Sequence, residues 1–396
     1  MGTEIEVTEL KVQDLPELRQ SLGVRISGEL PPKSLRNTLS RTVQQLHPAY
    51  FAMVMATGIV AIGCELTGLR PLAIGLSWLN AAIFAVLSAL TLARVFVFPR
   101  DFFRDLIDHK RGPGFFTIVA GTSVLGRQQI IILGHYTMAS VLWFLAVPLW
   151  AGFTYAIFTG FTVKEDKPSL AEGIHGGWLI AVVATQAVSS LSTLLAPRFP
   201  THEREMLFFS LCLWLCGGML YIWVISLIFY RYTFFRFLPS DLMPPYWINM
   251  GAMAISTLAG TNLILYASHA AFLTALLPFL KGFTAFFWAT ATWWIPMLAI
   301  LAVWRHIYKH FPFRYDPLYW GAVFPLGMYT VSTHQLAQAL DLPFLAWVPR
   351  YFIYVALSAW IATFCGLLWT MKDKAPASPA DSPISAHGRR VMERNP

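Results

Sequence analysis

The feature that most constrains this chain is a helix start used five times. "HPAYFAMVMATGIV" at residue 47 is echoed by "GPGFFTIVAGTSVL" at 112, "GGWLIAVVATQAV" at 176, "PPYWINMGAMAIS" at 244 and "DPLYWGAVFPLGM" at 316. With Pro48, Pro113, Gly176, Pro244 and Pro317 as first positions, the copies lie 65, 63, 68 and 73 residues apart. A bilayer crossing takes about 20 mostly apolar residues, so each interval holds two crossings. The repeat unit is a helical hairpin, and only its first helix carries the signature. Proline suits the first helical turn, where its missing N–H costs nothing, and an aromatic pair suits the membrane interface.

Ten segments are long and apolar enough to span: 49–68, 71–94, 114–134, 137–161, 177–196, 206–230, 246–268, 282–304, 317–340 and 349–371. With 56% hydrophobic and 13% charged residues, the composition excludes an ordinary soluble protein. The 25 prolines and 26 glycines are tolerable here because neighbouring membrane helices re-satisfy freed backbone groups. Residues 1–46 form a polar segment expected to be largely flexible, without the short apolar core of a signal peptide. Residues 47–371 form the membrane domain, and the proline-rich residues 372–396 a disordered tail. The even number of spans puts both ends on one side. That side holds 23 of the 29 lysines and arginines, so both termini are expected in the cytoplasm of a multi-pass plasma (inner) membrane protein. The net charge of +8 then speaks of topology and anionic lipid, and no nucleic acid is expected as a partner. Cys212 and Cys216 sit four apart with no histidine or acid at ligand spacing. Core packing is the expectation for them, with no metal, cofactor or disulfide framework.

Deeper in each copy, the eleventh positions are Gly58, Ser123, Gln186, Ala254 and Gly327, and the fourteenth are Ala61, Gly126, Ser189, Thr257 and Thr330. With the eighteenth they share one helix face, and that face is mostly small or polar. Two explanations stand: close packing of membrane helices, or a lumen bounded by five equivalent helices. The eighth positions are Met55, Ala120, Val183, Gly251 and Phe324. If they face a lumen, the one rigid ring at that height is a plug; otherwise Phe324 is an ordinary packed phenylalanine.

Three ionisable groups within spans are candidate functional groups. Arg127 either snorkels to the outer interface or faces the lumen and attracts anions. His334 either is structural or couples protons to substrate, with Glu65, at the same repeat position, as its candidate partner. Asp101, Asp105 and Asp108 raise the alternative of a magnesium-dependent membrane transferase. Those aspartates interleave with Arg104, Lys110 and Arg111, and no second acidic cluster exists, so an enzyme is not expected.

"HPAYFAMVMATGIVAIG" and "RGPGFFTIVAGTSVLG" resemble the tellurite-resistance/dicarboxylate transporter family, related to plant slow-type anion channels, fungal malate permeases and sulfite exporters. The resemblance covers approximately 46–371. It implies an all-α fold of ten transmembrane helices, arranged as five helical-hairpin repeats around a central pore, and assembly as a homotrimer. It also implies a pore-occluding phenylalanine on the ninth helix, best placed at Phe324 in "YWGAVFPLG". The implied activity is anion permeation, with a C4-dicarboxylate such as malate as leading substrate. Small monovalent anions (chloride, nitrate) through a slow-type channel, or sulfite export, are the alternatives.

Overall fold

The computed structural model describes residues 35–313 and 315–374. The outer parts of the two terminal segments, 1–34 and 375–396, lie outside the described residues, and with them most of the expected flexibility. Within residues 1–45 the described element is one helix, Leu35–Gln44.

From residue 46 onward the described residues form helices and connecting turns, with no strand. The long helices are α1 (Ala52–Leu66), α2 (Arg70–Val97), α3 (Phe116–Leu133), α4 (Tyr136–Val163) and α5 (Ile180–Leu195). They continue with α6 (Glu203–Phe234), α7 (Ile248–Leu265), α8 (Leu277–Val303), α9 (Trp320–Ala339) and α10 (Trp347–Lys374). Nine of these, with their flanking turns, are long and apolar enough to cross a membrane. The exception is α9, which has the length but carries Pro325, Gly327, Thr330, Ser332, Thr333 and His334.

Each odd-numbered helix is entered through a single 3-10 turn: Pro48–Phe51, Gly112–Phe115, Gly176–Leu179, Pro244–Trp247 and Pro317–Tyr319. These turns are what the recurring start encodes. They touch one another in sequence, and the fifth closes on the first. The approach is backbone to backbone in places: a Cβ on Gly176 would lie 2.5 Å from the Pro245 carbonyl oxygen. Thr117 stitches two copies together by donating to the carbonyl of Pro48 (2.9 Å).

Above the turns, the odd helices repeat the same cycle. Helix α1 packs on α3, α3 on α5, α5 on α7, α7 on α9, and α9 back on α1. Each even helix lies against its own odd partner and also against the next odd helix in the cycle. Hydrogen bonds fix the second contact in every copy. Asn80 of α2 donates to Gln128 of α3 (2.7 Å), and Trp150 of α4 to Thr185 of α5 (2.9 Å). Trp214 of α6 donates to the Ser256 carbonyl of α7 (2.9 Å), and Trp288 of α8 to Thr333 of α9 (2.9 Å). Trp360 of α10 closes the cycle on Thr57 of α1 (3.0 Å). An indole in this position buries a large apolar body while its N–H finds an acceptor, which an apolar surround otherwise withholds.

The acidic cluster after α2 is absorbed by arginines. Asp105 pairs with Arg94, and Arg111 Nε lies 3.0 Å from its Oδ2. Asp101 pairs with Arg104 at 2.8 Å, and Asp108 accepts from the backbone of Lys110 and Arg111.

Candidate functional site

The five 3-10 turns surround a cavity of about 410 Å3, reached by residues of every copy: Ala49, Gly114, Gly177, Pro245 and Leu318. Lys110, Arg111, His175 and Arg231 also line it, with Glu172 and Asp241 as acids. Free backbone N–H groups and the positive ends of helix dipoles gather at such starts, and both favour an anion.

Two of the starts are capped by histidine. His47 Nδ1 accepts from the Ala49 amide, and His175 Nδ1 from the Gly177 amide, each at 3.1 Å; in the fifth copy Asp316 accepts from Leu318 at 2.8 Å. Accepting at Nδ1 leaves the neutral ring's proton on Nε2. Burial first, then the Arg111 guanidinium, pushes His47 down to about 4. Burial also pushes His175 down to about 4, with Arg231 adding to it. Both rings are therefore neutral at neutral pH. The Nε2 of His175 is buried at the cavity wall, beside the backbone of His109 and Lys110. Arg231 donates to the Ile174 carbonyl at 2.9 Å and to the Tyr246 hydroxyl, and among the described residues its Nε has no hydrogen-bond partner. None of these mouth residues stood out by helical pattern. For the caps the one signal was histidine directly before the first position in two copies, "HPAYF" and "HGGWL", while Lys110 and Arg111 stood in the basic run after the second span.

The eighth-position residues Met55, Ala120, Val183, Gly251 and Phe324 are all buried. Phe324 lies one turn into α9, beside Pro325, whose ring sits where a side chain on Gly251 would fall (2.7 Å).

The eleventh and fourteenth positions behave differently from the eighth. Gln186 donates to the Trp214 carbonyl (3.0 Å) and Ser189 to the Ser210 carbonyl (2.7 Å), so both side chains turn to α6. A Cβ on Gly58 would meet Asn80 of α2 and Val124 of α3, and one on Gly327 would meet Ile59 of α1. These residues are small or polar where helices approach closely. Thr257 and Thr330 donate to carbonyls of their own helices, Ala254 is buried, and the Ser123 hydroxyl is buried without a protein partner.

Of the three ionisable groups, Glu65 pairs with Arg70, and His334 contacts Gln338 of its own helix (3.2 Å). The two are not brought together by a hydrogen bond or ion pair. Arg127 does not snorkel. It is buried and donates through Nη1 to Ser190 of α5 (2.8 Å), whose hydroxyl also receives Asn262 of α7 (2.8 Å). Because α3 and α7 flank α5 on opposite sides, a side chain that meets both lies on the inner face of the cycle. Ser190 is one position beyond Ser189, which faces the outer helix.

Residues 45–368 match the voltage-dependent anion channel family, SLAC1. An uncharacterized membrane protein of Mycobacterium tuberculosis (strain H37Rv) is 39% identical over 150 residues, 38% of this chain and 75% of that protein. An uncharacterized transporter of Methanocaldococcus jannaschii is 26% identical over 302 residues, covering 74% and 84% of the two chains. A sulfite efflux pump of Trichophyton rubrum is 22% identical over 352 residues, covering 81% and 90%.

Proposed function

This chain belongs to the voltage-dependent anion channel family, an anion-transporting membrane protein and not an enzyme, and from that premise we propose that it conducts anions through the inside of its cycle of odd helices. In this reading all ten helices cross the bilayer, as five hairpins with both termini in the cytoplasm. Phe324 occludes the lumen one turn beyond the mouth, in the company of Met55, Ala120, Val183 and Gly251. The observation that carries the reading is the cavity where five helix starts converge, lined by Lys110, Arg111 and Arg231. Such a mouth concentrates anions before a narrow apolar constriction, an effect that salt weakens. Three such protomers, each with its own pore, make the assembly we propose.

A C4-dicarboxylate such as malate is the substrate we put first. Sulfite is the second reading, favoured by the relatives named sulfite efflux pumps over 90% of their length. The test is the reversal potential of purified protein in planar bilayers under malate, sulfite and chloride gradients in turn. Currents that follow an anion's Nernst potential support the reading and rank the substrates. Currents that track a proton gradient, or none at all while vesicle uptake persists, replace the channel with a coupled carrier.

A further inference from the structure

Arg127 raises a question of charge balance. Its side chain is 3% exposed, and the two residues it meets, Ser190 and Asn262, are 2% and 1% exposed. Among the described residues no carboxylate pairs with it. The phenol of Tyr266 also lies in its field, and a phenol carries no charge at neutral pH. Guanidinium stays charged in proteins, and a buried charge with no partner is strongly unfavourable. Something must answer it.

The geometry of the unpaired atoms says what. Nη1 is the nitrogen spent on Ser190. Nε and Nη2 are buried and, among the described residues, have no hydrogen-bond partner. These two nitrogens lie on one edge of the planar group, their N–H bonds parallel. That edge is the fork that grips two oxygens of one oxyanion at once, the geometry of carboxylate and phosphate recognition. A halide, being a single sphere, cannot use the fork in this way. Ser190 holds the third nitrogen and is itself fixed by Asn262, so the edge is oriented by helices α5 and α7 while the guanidinium comes from α3.

We propose that the free Nε–Nη2 edge of Arg127, inside the cycle of odd helices, is a bidentate site for an oxyanion in transit, and that it discriminates oxyanions from halides. Arg127 and Phe324 occupy repeat positions fifteen and eight, so the site lies about 10 Å further along the axis than the phenylalanine. It rests on the reading that anions pass through this interior. Its ligand class is a group with two coplanar oxygens: a carboxylate, nitrate or sulfite.

The test compares nitrate with chloride and iodide, all monovalent, in bilayers containing wild type, Arg127→Lys or Ser190→Ala. Iodide is the control, since weak hydration favours it as it favours nitrate, but it offers no second oxygen. Arg127→Lys keeps the charge and removes the fork. It is expected to lower nitrate permeability relative to chloride about tenfold, with the iodide-to-chloride ratio unchanged. Ser190→Ala frees the third nitrogen and should lower the nitrate preference about threefold. Nitrate ratios that stay at the wild-type value in Arg127→Lys overturn the site, or in Ser190→Ala if the lysine variant does not fold. Detergent-solubilised protein provides a readout without flux: nitrate should raise the Tm of wild type more than iodide does, and this difference should vanish in Arg127→Lys. Were wild type to pass no anion current yet show that difference, the conduction reading would fail and the site would stand. If current flows but the difference is equal in both proteins, the site fails alone.

Discussion

The odd and even helices of this protein follow opposite rules. In the apolar stretches of α1, α3, α5 and α7 with their turns, 78 to 94% of residues are buried, whereas in the even helices the share is 17 to 44%. Yet the polar and proline-bearing helix that falls short as a membrane span, α9, belongs to the inner set. In a soluble protein the most apolar helix is the most central. Here the outer, even helices are as apolar as the inner ones or more so, and they shield the odd ones. Most hydroxyls and amides inside, and one guanidinium, are thus tolerated with at least one hydrogen bond each, the Ser123 hydroxyl being an exception. A place where polar groups can be held in a membrane is also a place where an anion can be held.

The sharpest way to break this comparison is a pair of glycines. Gly176, in an inner turn, leaves no room: a methyl group there would fall 2.5 Å from the Pro245 carbonyl oxygen and 2.6 Å from the Tyr246 Cα. Gly282, on outer helix α8, has nothing within 4 Å of its missing Cβ. Gly176→Ala is expected to destabilise the protein by about 1–3 kcal/mol, and Gly282→Ala to leave it unchanged or stabilise it by roughly 0.5–1 kcal/mol. Thermal unfolding in detergent checks both, and equal effects would mean the ring of turns is not a packed unit.

Acid tests the mouth in the same way. His47 and His175 stay neutral in the folded protein down to about pH 4, while their ordinary value is 6.5. Between those values the unfolded chain binds more protons than the folded one. Stability should therefore be full above pH 6.5, fall as the pH drops towards 4, and level off below. The double variant His47→Asn/His175→Asn keeps an acceptor at each cap without a titrating ring, so its Tm should decline less steeply over that window. An unchanged slope would show that the caps do not titrate as described. Smaller again is the effect expected at the seam between the sets. Trp360→Phe deletes the bond to Thr57 and should cost roughly 1 kcal/mol, whereas Trp293→Phe, on the exposed face of α8, should cost close to nothing in the same Tm measurement.

The cyclic plan was legible because its unit is local. A proline or glycine with bulky residues behind it encodes a 3-10 turn, and five such turns in register imply five equivalent helices. The count of ten apolar spans included 317–340, whereas α9 falls short of that on composition, and its place among the odd helices rests on the repeat. What could not be read was the phase of each inner helix. Small residues permit close approach on any side, so the stripe through Gly58, Gln186, Ser189 and Gly327 has the same pattern whether it faces a lumen or another helix. Hydrogen bonds to α6 resolve this for Gln186 and Ser189, and the face one position further on, at Ser190, meets both ring neighbours. The histidine caps were missed for a related reason: they lie outside the helices, where periodicity carries no information.

The most direct test of the central claim, that anions move inside the odd helices and not between protein and lipid, is single-channel conductance of Phe324→Ala beside Phe286→Ala. The first ring is 1% exposed on α9 and the second 49% exposed on α8. If Phe324 occludes the lumen as proposed, removing the inner ring should raise anion conductance severalfold, and removing the outer ring should leave conductance at the wild-type value. Equal conductance in the two variants, with both correctly folded, would contradict the account and take the pathway out of the ring.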